Sequence, residues 1–366
     1  EYRLEGKQSQ ADIDRLVLEL DSVPLPKDGS QETLLRLLAS PNIANKQGVY
    51  RQYDHQVQTN TVLGPGSDAA VLRIKGTKKA IAVTIDGNGR FCQLDPYQGG
   101  LIVVAEVCRN LSCSGAVPLA MTDCLNFGSP ERPEIYHQLE QCILGIAEAC
   151  RVLEAPVVSG NVSLYNESRG QAIFPTPVLG GLGLLEDAGK ATRSAFAGEG
   201  LMVALLGAET DQIDVNDLAG SEYLKCVHGR VAGSPKIDIN LEKRVQQACR
   251  DAIERGLISS AHDCSEGGLA VALAECSIQG GTGFTGDFTV DSRWDAVLFG
   301  ERQSRIVVSL PENDWDALAN LAASIDVPLL KLGTTGGDRF QINGQVDLPV
   351  SKIADVWNNG LEAAGG

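Results

Sequence analysis

The chain has 366 residues, enough for two domains that each bury a full core. Aromatic residues make up 5% and glycines number 40, a mixture that suits sheets flanked by helices and joined by tight turns. A formal charge of -16 at pH 7 repels phosphate backbones and argues against nucleic acid as a partner. It leaves room for a small phosphate ligand held by backbone amides and a metal ion. No apolar run approaches the ~20 residues that span a bilayer, so no membrane association is expected.

Glu1-Tyr2-Arg3-Leu4-Glu5-Gly6-Lys7 has neither a signal peptide's apolar stretch nor an initiating methionine. The sequence therefore reads as starting inside a longer protein or after processing. Residues 1–30 carry charges, Pro24, Pro26 and Gly29, and read as a connector; Asp12 to Leu20 could turn helically, but nothing in the sequence anchors it. Gln31 to Ala39 reads as a short helix stopped by Pro41. Val71–Ile74 and Ala80–Ile85 read as strands. Gly99–Ser114 and Pro133–Leu153 read as helices, the second with Ile135, Leu139, Ile143, Ile146 and Ala147 on one face. Pro156–Gly160 and Val178–Leu185 read as strands, and Leu201–Gly207 as a buried strand opening a second block. That block continues with helices from Glu242 to Arg255 and Gly267 to Ser277, a strand from Arg305 to Leu310, a helix from Asn313 to Ala323, and strands near Leu329 and Phe340. The domain boundary falls near residue 195, giving an N-terminal sheet domain over 31–195 and a C-terminal α/β domain over 196–366. The ten cysteines include no CxxC pair and sit mostly in apolar runs, which fits small buried hydrophobes in a reducing cytosol.

Six segments carry polar groups at positions suited to chemistry. Gly64-Pro65-Gly66-Ser67-Asp68 precedes a strand and reads either as a surface turn or as a corner where a carboxylate meets a metal or phosphate. Asp86-Gly87-Asn88-Gly89-Arg90 ends a strand and reads either as a hairpin turn or as a phosphate-and-metal corner. Glu106 and Asn110 are four apart on an apolar helix, so they share a face; they form an exposed stripe or a pair of oxygen ligands for Mg²⁺. Thr122–Gly128 and Val158–Leu164 place small polar groups at the ends of buried strands, where open sheets bind ligands, although plain polar turns compete. In His262-Asp263-Cys264-Ser265-Glu266-Gly267-Gly268, Ser265 suits a helix N-cap whose free amides attract an anion; His262 is either a base or structural. No GxxxxGK[ST] phosphate loop occurs.

Tyr50-Arg51-Gln52-Tyr53-Asp54-His55, Thr59-Asn60-Thr61-Val62, Gly66-Ser67-Asp68-Ala69-Ala70, Thr122–Gly128, Gly160-Asn161-Val162-Ser163-Leu164-Tyr165-Asn166 and His262–Leu269 occur in this order. Together they closely resemble the second half of the synthase subunits of the formylglycinamide ribonucleotide amidotransferase family, over about residue 31 to the end. That family sits in the aminoimidazole ribonucleotide synthetase-like superfamily. The resemblance implies an α+β two-domain unit, with an N-terminal barrel-forming sheet domain that pairs with a second copy and a C-terminal α/β domain packed outside. It implies an ATP- and Mg²⁺-dependent C–N ligase of purine biosynthesis in the cytoplasm, taking ammonia that originates from glutamine. Asp123 and Gly160 match ATP-binding positions, Asn161 a magnesium ligand and Ser163 a substrate contact. Asp68, Glu106, Asn110 and Asp263 match the metal-holding positions of an auxiliary site that holds ADP in larger members. The implied partners are the N-terminal half of the subunit, a glutaminase subunit and a small accessory subunit, with a homodimer of this unit as a further expectation. The family's catalytic histidines lie in a His-Asn-His-Pro-Ser segment that has no counterpart among His55, His137, His228 and His262, so no catalytic residue is assigned here. The alternative is a noncatalytic scaffold half holding a structural nucleotide. Thiamine monophosphate or selenophosphate chemistry on the same fold is disfavoured by the 123–128 and 161–166 segments.

Overall fold

A computed structural model describes residues 5–207, 214–290 and 293–365. Its first sheet contains β1 (Thr61–Leu63), β2 (Ala70–Arg73), β3 (Ala80–Asp86), β4 (Val117–Asn126), β5 (Val157–Ser163) and β8 (Thr176–Leu185), in the order β1-β2-β3-β8-β4-β5. A separate small hairpin pairs β6 (Glu167–Ser168) with β7 (Gln171–Ala172). Within the first sheet only the β4–β5 pair is parallel among the described residues, because the Pro133–Leu153 helix supplies the crossover between them.

That helix and the Pro96–Cys113 helix cover one face of the sheet, over Val71, Ala82, Met121 and Leu179. Pro96 at the first turn and the Asp95 carboxylate, which accepts from the Tyr97 and Gln98 amides at 3.1 and 3.0 Å, start the buried helix. The two helices meet through glycine. A Cβ on Gly145 would lie 2.1 Å from the Tyr97 carbonyl, and one on Gly100 would lie 2.4 Å from that of Cys142. Among the described residues no helix covers the opposite face of the sheet, and Ile85, Val117 and Leu182 stand exposed there.

The second sheet contains β9 (Met202–Leu206), β10 (Ser260–Asp263), β11 (Phe284–Gly286), β12 (Ile306–Leu310), β13 (Leu329–Thr335), β14 (Arg339–Ile342) and β15 (Val346–Pro349), ordered β10-β12-β9-β13-β11-β14-β15. Alternation divides β9 between two cores. Val203 and Leu205 pack toward the Gly268–Gly280 helix; Met202, Ala204 and Leu206 pack toward Ile239–Glu254 and Trp315–Ser324. Burial on both faces explains the unbroken apolar run in the sequence.

The structure overturns several expectations. The described part of the first thirty residues is anchored: a Gln10–Arg15 helix capped by Ser9 seats Asp12 against Gln93 Nε2 at 2.8 Å, and Leu18 and Val23 enter the C-terminal core. The Gly29–Leu38 helix, assigned above to the N-terminal domain, buries Leu34, Leu37 and Leu38 in that same C-terminal core. β5 is an exposed edge strand rather than a buried one. Ser265 is not a helix cap, since the helix begins at Gly268 behind Gly267, with no side chain capping it. Asp86–Arg90 is not a hairpin: the chain enters a Gly89–Leu94 helix whose first amides are capped by Asn88.

Candidate functional site

Two polar regions emerge. The first is at the junction of the two domains. Asp68, in the turn before β2, accepts a 2.6 Å hydrogen bond at Oδ1 from His262 Nδ1, and its Oδ2 accepts from the Asp263 amide at 3.3 Å. His262 Nε2 lies 3.2 Å from Glu275 Oε2, so both ring nitrogens face carboxylates and both are placed to donate. Burial alone would lower the imidazole pKa, but Asp68 and Glu275 carry it well above the ordinary range. Asp68, His262 and Asp263 offer ligand atoms within 4.8 Å of one another. With both nitrogens engaged, His262 serves as a clamp on Asp68 rather than a donor to a metal.

Asn110 Nδ2 donates to Asp86 Oδ2 at 2.7 Å, which brings the end of β3 into the same region. Glu106 and Asn110 are 6% and 8% exposed, which rules out the exposed-stripe reading. Burial, then repulsion from Asp86, Glu266 and Asp263, drives the Glu106 pKa well above the usual carboxylate range. Asp86 rises for the same reasons, burial first and then Glu266 and Asp263. Burial pushes Asp263 up to about 6 against the opposing pull of Arg109. The structure thus places Asp68, Glu106, Asn110 and Asp263 around one junction and adds Asp86 and Glu266. The donors are carboxylate and amide oxygens, the set a hard cation such as Mg²⁺ takes. The Glu106 side chain forms no hydrogen bond or ion pair with another described residue.

Sequence reasoning missed Arg109. It is completely buried, reaching Glu242 through Nη1, Asp263 through Nε at 3.3 Å and Gln303 Oε1 through Nη2 at 3.3 Å. An arginine amid the apolar Leu101–Leu111 run was the available signal.

The second region is the free edge of the first sheet. β4 and β5 pair Asp123 with Gly160, Cys124 with Asn161 and Asn126 with Ser163. Paired residues share a face and successive residues alternate. Asn161 and Ser163 therefore look onto the open face, where Asn161 Nδ2 reaches Cys124 Sγ at 3.7 Å and Asn166 Nδ2 donates to Ser163 Oγ at 3.1 Å. Asp123 points to the helix side, into a cavity of about 570 Å³ lined by Leu125, Ile143, Ile146, Cys150, Arg151 and Pro156. The four residues hence do not share one pocket on one face. Asp123 and Asn161 flank the edge strand from opposite sides, and a ligand touching both must wrap around β5. Gly160 leaves room for Asp123 as it stands, since a Cβ there would fall 1.9 Å from Asp123 Oδ1 and push that carboxylate aside. Burial raises the Asp123 pKa, partly offset by the Asn161 amide.

This two-sheet arrangement defines a recognisable class of protein. The family profile "AIR synthase related protein, N-terminal domain" matches residues 66–185, and "AIR synthase related protein, C-terminal domain" matches residues 198–342, so the chain belongs to the AIR synthase related family. Within it, the chain is 50% identical to phosphoribosylformylglycinamidine synthase subunit PurL of Thermomicrobium roseum, over 98% of this chain and 49% of that protein. It is 47% identical to the same subunit of Moorella thermoacetica, over 94% of this chain and 47% of that protein. The chain thus spans about half the length of these curated relatives. Among solved structures, T. maritima PurL complexed with FGAR superposes with a TM-score of 0.71 at 18% identity, covering 88% of this chain and 53% of that one, a likeness of fold. T. maritima PurL complexed with ADP gives a TM-score of 0.55 at 26% identity, covering 80% and 41%.

Proposed function

We propose that this chain is the C-terminal half of a phosphoribosylformylglycinamidine synthase subunit. The reaction joins formylglycinamide ribonucleotide, ATP and ammonia into the amidine, with release of ADP and phosphate. ATP transfers its terminal phosphoryl group to the amide oxygen; ammonia then adds to that carbon, and phosphate leaves with the C–O bond. The reading rests on identity at half of all positions across nearly the whole chain to a subunit bearing that name.

The sheet edge suits this role. The apolar slot beside Asp123 accommodates a purine base, with the carboxylate placed to accept from an exocyclic amine. Asn161 would hold Mg²⁺, which neutralises phosphate charge when bound, and Ser163 would contact the substrate on the open face. The exposed apolar face then receives the sheet of the N-terminal half, and that half carries the catalytic histidines. A glutaminase subunit and a small accessory subunit complete the assembly in the cytoplasm. No helix of the described residues is long and apolar enough to cross a membrane. The junction cluster supports an auxiliary role in the same chain: Asp68, Glu106, Asn110 and Asp263 would hold Mg²⁺ and an ADP that ties the domains together.

The test is reconstitution. The chain alone, supplied with ammonia, ATP, Mg²⁺ and formylglycinamide ribonucleotide, should not turn over; addition of the complementary half should give ADP release and amidine, lost again in D123A and N161A. Turnover by the isolated chain, or reconstituted activity indifferent to both substitutions, would refute the reading.

A further inference from the structure

Past their last registered pair, Asn126 with Ser163, strands β4 and β5 enter a turn held together by Asn166. The Phe127 amide donates to the Ser163 carbonyl at 3.0 Å, and the Asn166 amide donates back to the Phe127 carbonyl at 3.0 Å. Tyr165, between Ser163 and Asn166, is left-handed at φ 59°, and its amide is tied to the Gly128 carbonyl at 3.1 Å. A residue other than glycine keeps such a conformation only where its surroundings hold it.

The Asn166 side chain does more than brace this turn. Its Nδ2 donates to Phe127 O at 3.1 Å and to Ser163 O at 2.9 Å, and it reaches Ser163 Oγ at 3.1 Å. Both carbonyls can only accept, so they fix the amide with its nitrogen toward them. Two amide protons then serve three acceptors. One meets Phe127, and the other is shared between the carbonyl and the hydroxyl of Ser163. The Ser163 oxygen is thus already an acceptor. Among the described residues its own proton can meet Asn166 Oδ1 alone, at 3.3 Å, a long reach for a hydroxyl donor. A ligand oxygen at ordinary hydrogen-bond distance would take that proton instead.

We infer that Asn166 is a positioning residue of the sheet-edge site: it sets Ser163 as a hydrogen-bond donor toward an acceptor oxygen of the ribonucleotide substrate. The inference rests on the synthase reading and on Ser163 as its substrate contact. It adds the direction of that contact, which selects a carbonyl or phosphoryl oxygen over an amide or hydroxyl donor. Asn166 itself acts through Ser163 and need not touch the substrate.

A double-variant cycle on the complex of this chain with the complementary half tests it, with ammonia as nitrogen donor and KM read separately for formylglycinamide ribonucleotide and for ATP. In N166D an acceptor replaces the amide nitrogen, captures the Ser163 hydroxyl proton and turns the donor away from the substrate. KM for the ribonucleotide should rise about tenfold or more, with KM for ATP within about twofold of the parent's. In S163A no hydroxyl remains to be oriented, so adding N166D should cost less than about twofold further. Where N166D does not assemble with the complementary half, N166A takes its place; it should raise the ribonucleotide KM severalfold, and that effect too should vanish in the S163A background. An unchanged ribonucleotide KM, an equal rise in both KM values, or a penalty as large without the Ser163 hydroxyl as with it would reduce Asn166 to a brace of the turn and overturn the inference. A parent complex that makes no amidine would instead sink the synthase reading, and this inference with it.

Discussion

Arg109 Nη1 lies 3.1 Å from both carboxylate oxygens of Glu242, and both side chains are completely buried. The pair joins the central helix of the first domain to the Ile239–Glu254 helix of the second. Removing one member leaves the other charged, buried and unpaired, a loss of roughly 3–5 kcal/mol. R109M should therefore lower the denaturation midpoint severely. The double variant R109M/E242M should recover most of the loss, because no orphan charge remains on that side. Urea unfolding of the four proteins measures the coupling; additive losses would contradict it.

Glu301 gives stability a pH dependence. Its Oε1 accepts from the Glu222 and Gly267 amides at 2.7 and 2.8 Å, and burial, reinforced by Glu266, pushes its pKa up to about 8 from an ordinary value of 4.5. A carboxyl whose folded pKa exceeds its unfolded one favours the fold fully below pH 4.5, and that contribution is lost as pH rises through 8. The span is worth at most about 5 kcal/mol. E301Q keeps the acceptor oxygen and cannot ionise. Its stability should fall less than that of the parent between pH 5 and 8, as read from unfolding curves at each pH. Parallel profiles would discard this account.

Glu106 separates stability from ligand binding. Burial and repulsion from Asp86, Glu266 and Asp263 disfavour the ionised Glu106 side chain. E106Q should therefore stabilise the chain in EDTA by about 1–3 kcal/mol. The same change should abolish the thermal shift given by Mg²⁺ with ADP, which by mass action amounts to about 2.7 kcal/mol at a hundredfold excess over Kd. A lower melting temperature in EDTA, or a surviving ligand shift, would count against the junction as a cation site.

Gly160 tests the sheet edge. A methyl group there meets Asp123 Oδ1 at 1.9 Å, so G160A must displace that carboxylate. Nucleotide affinity should fall at least tenfold, while the melting temperature drops only modestly because β5 is exposed. Adding D123A should restore the melting temperature without restoring affinity, as followed with a fluorescent ATP analogue.

Sequence pattern revealed those elements whose determinants are local. The Pro133–Leu153 helix was read to its ends because proline starts it and apolar residues recur along one face. The anchoring of Asp12 was hidden, since its partner Gln93 is 81 residues away. Arg109 was overlooked because its partners Glu242 and Asp263 lie in another domain. The opposed orientation of Asp123 and Asn161 was legible in principle. Gly160 and Asn161 are neighbours on one strand and must face opposite ways, and the β4–β5 register then assigns Asp123 to the side of Gly160. Family motifs name residues that meet one ligand, and a ligand wrapped around an edge strand needs residues from both faces.

The open face of the first sheet carries the last prediction. The register β3–β8–β4 aligns Val83 with Leu182 and Ile81 with Leu184, and Leu184 in turn with Val117. This apolar stripe continues to Ile85, which is 71% exposed. In water such a surface is a liability unless another sheet covers it. For the isolated chain the available cover is a second copy, because a two-fold axis lets one patch satisfy itself. The charge of -16 opposes association at low ionic strength but is largely screened at physiological salt. The chain should therefore sediment at twice its 38.8 kDa mass at micromolar concentration, more completely as salt is raised. I85K places a charge at the centre of the contact and should return the monomer without lowering the unfolding midpoint, since Ile85 lends little to its own core. A parent chain that stays monomeric across concentration and salt, or an I85K dimer as tight as the parent's, would show that this face does not mediate self-association.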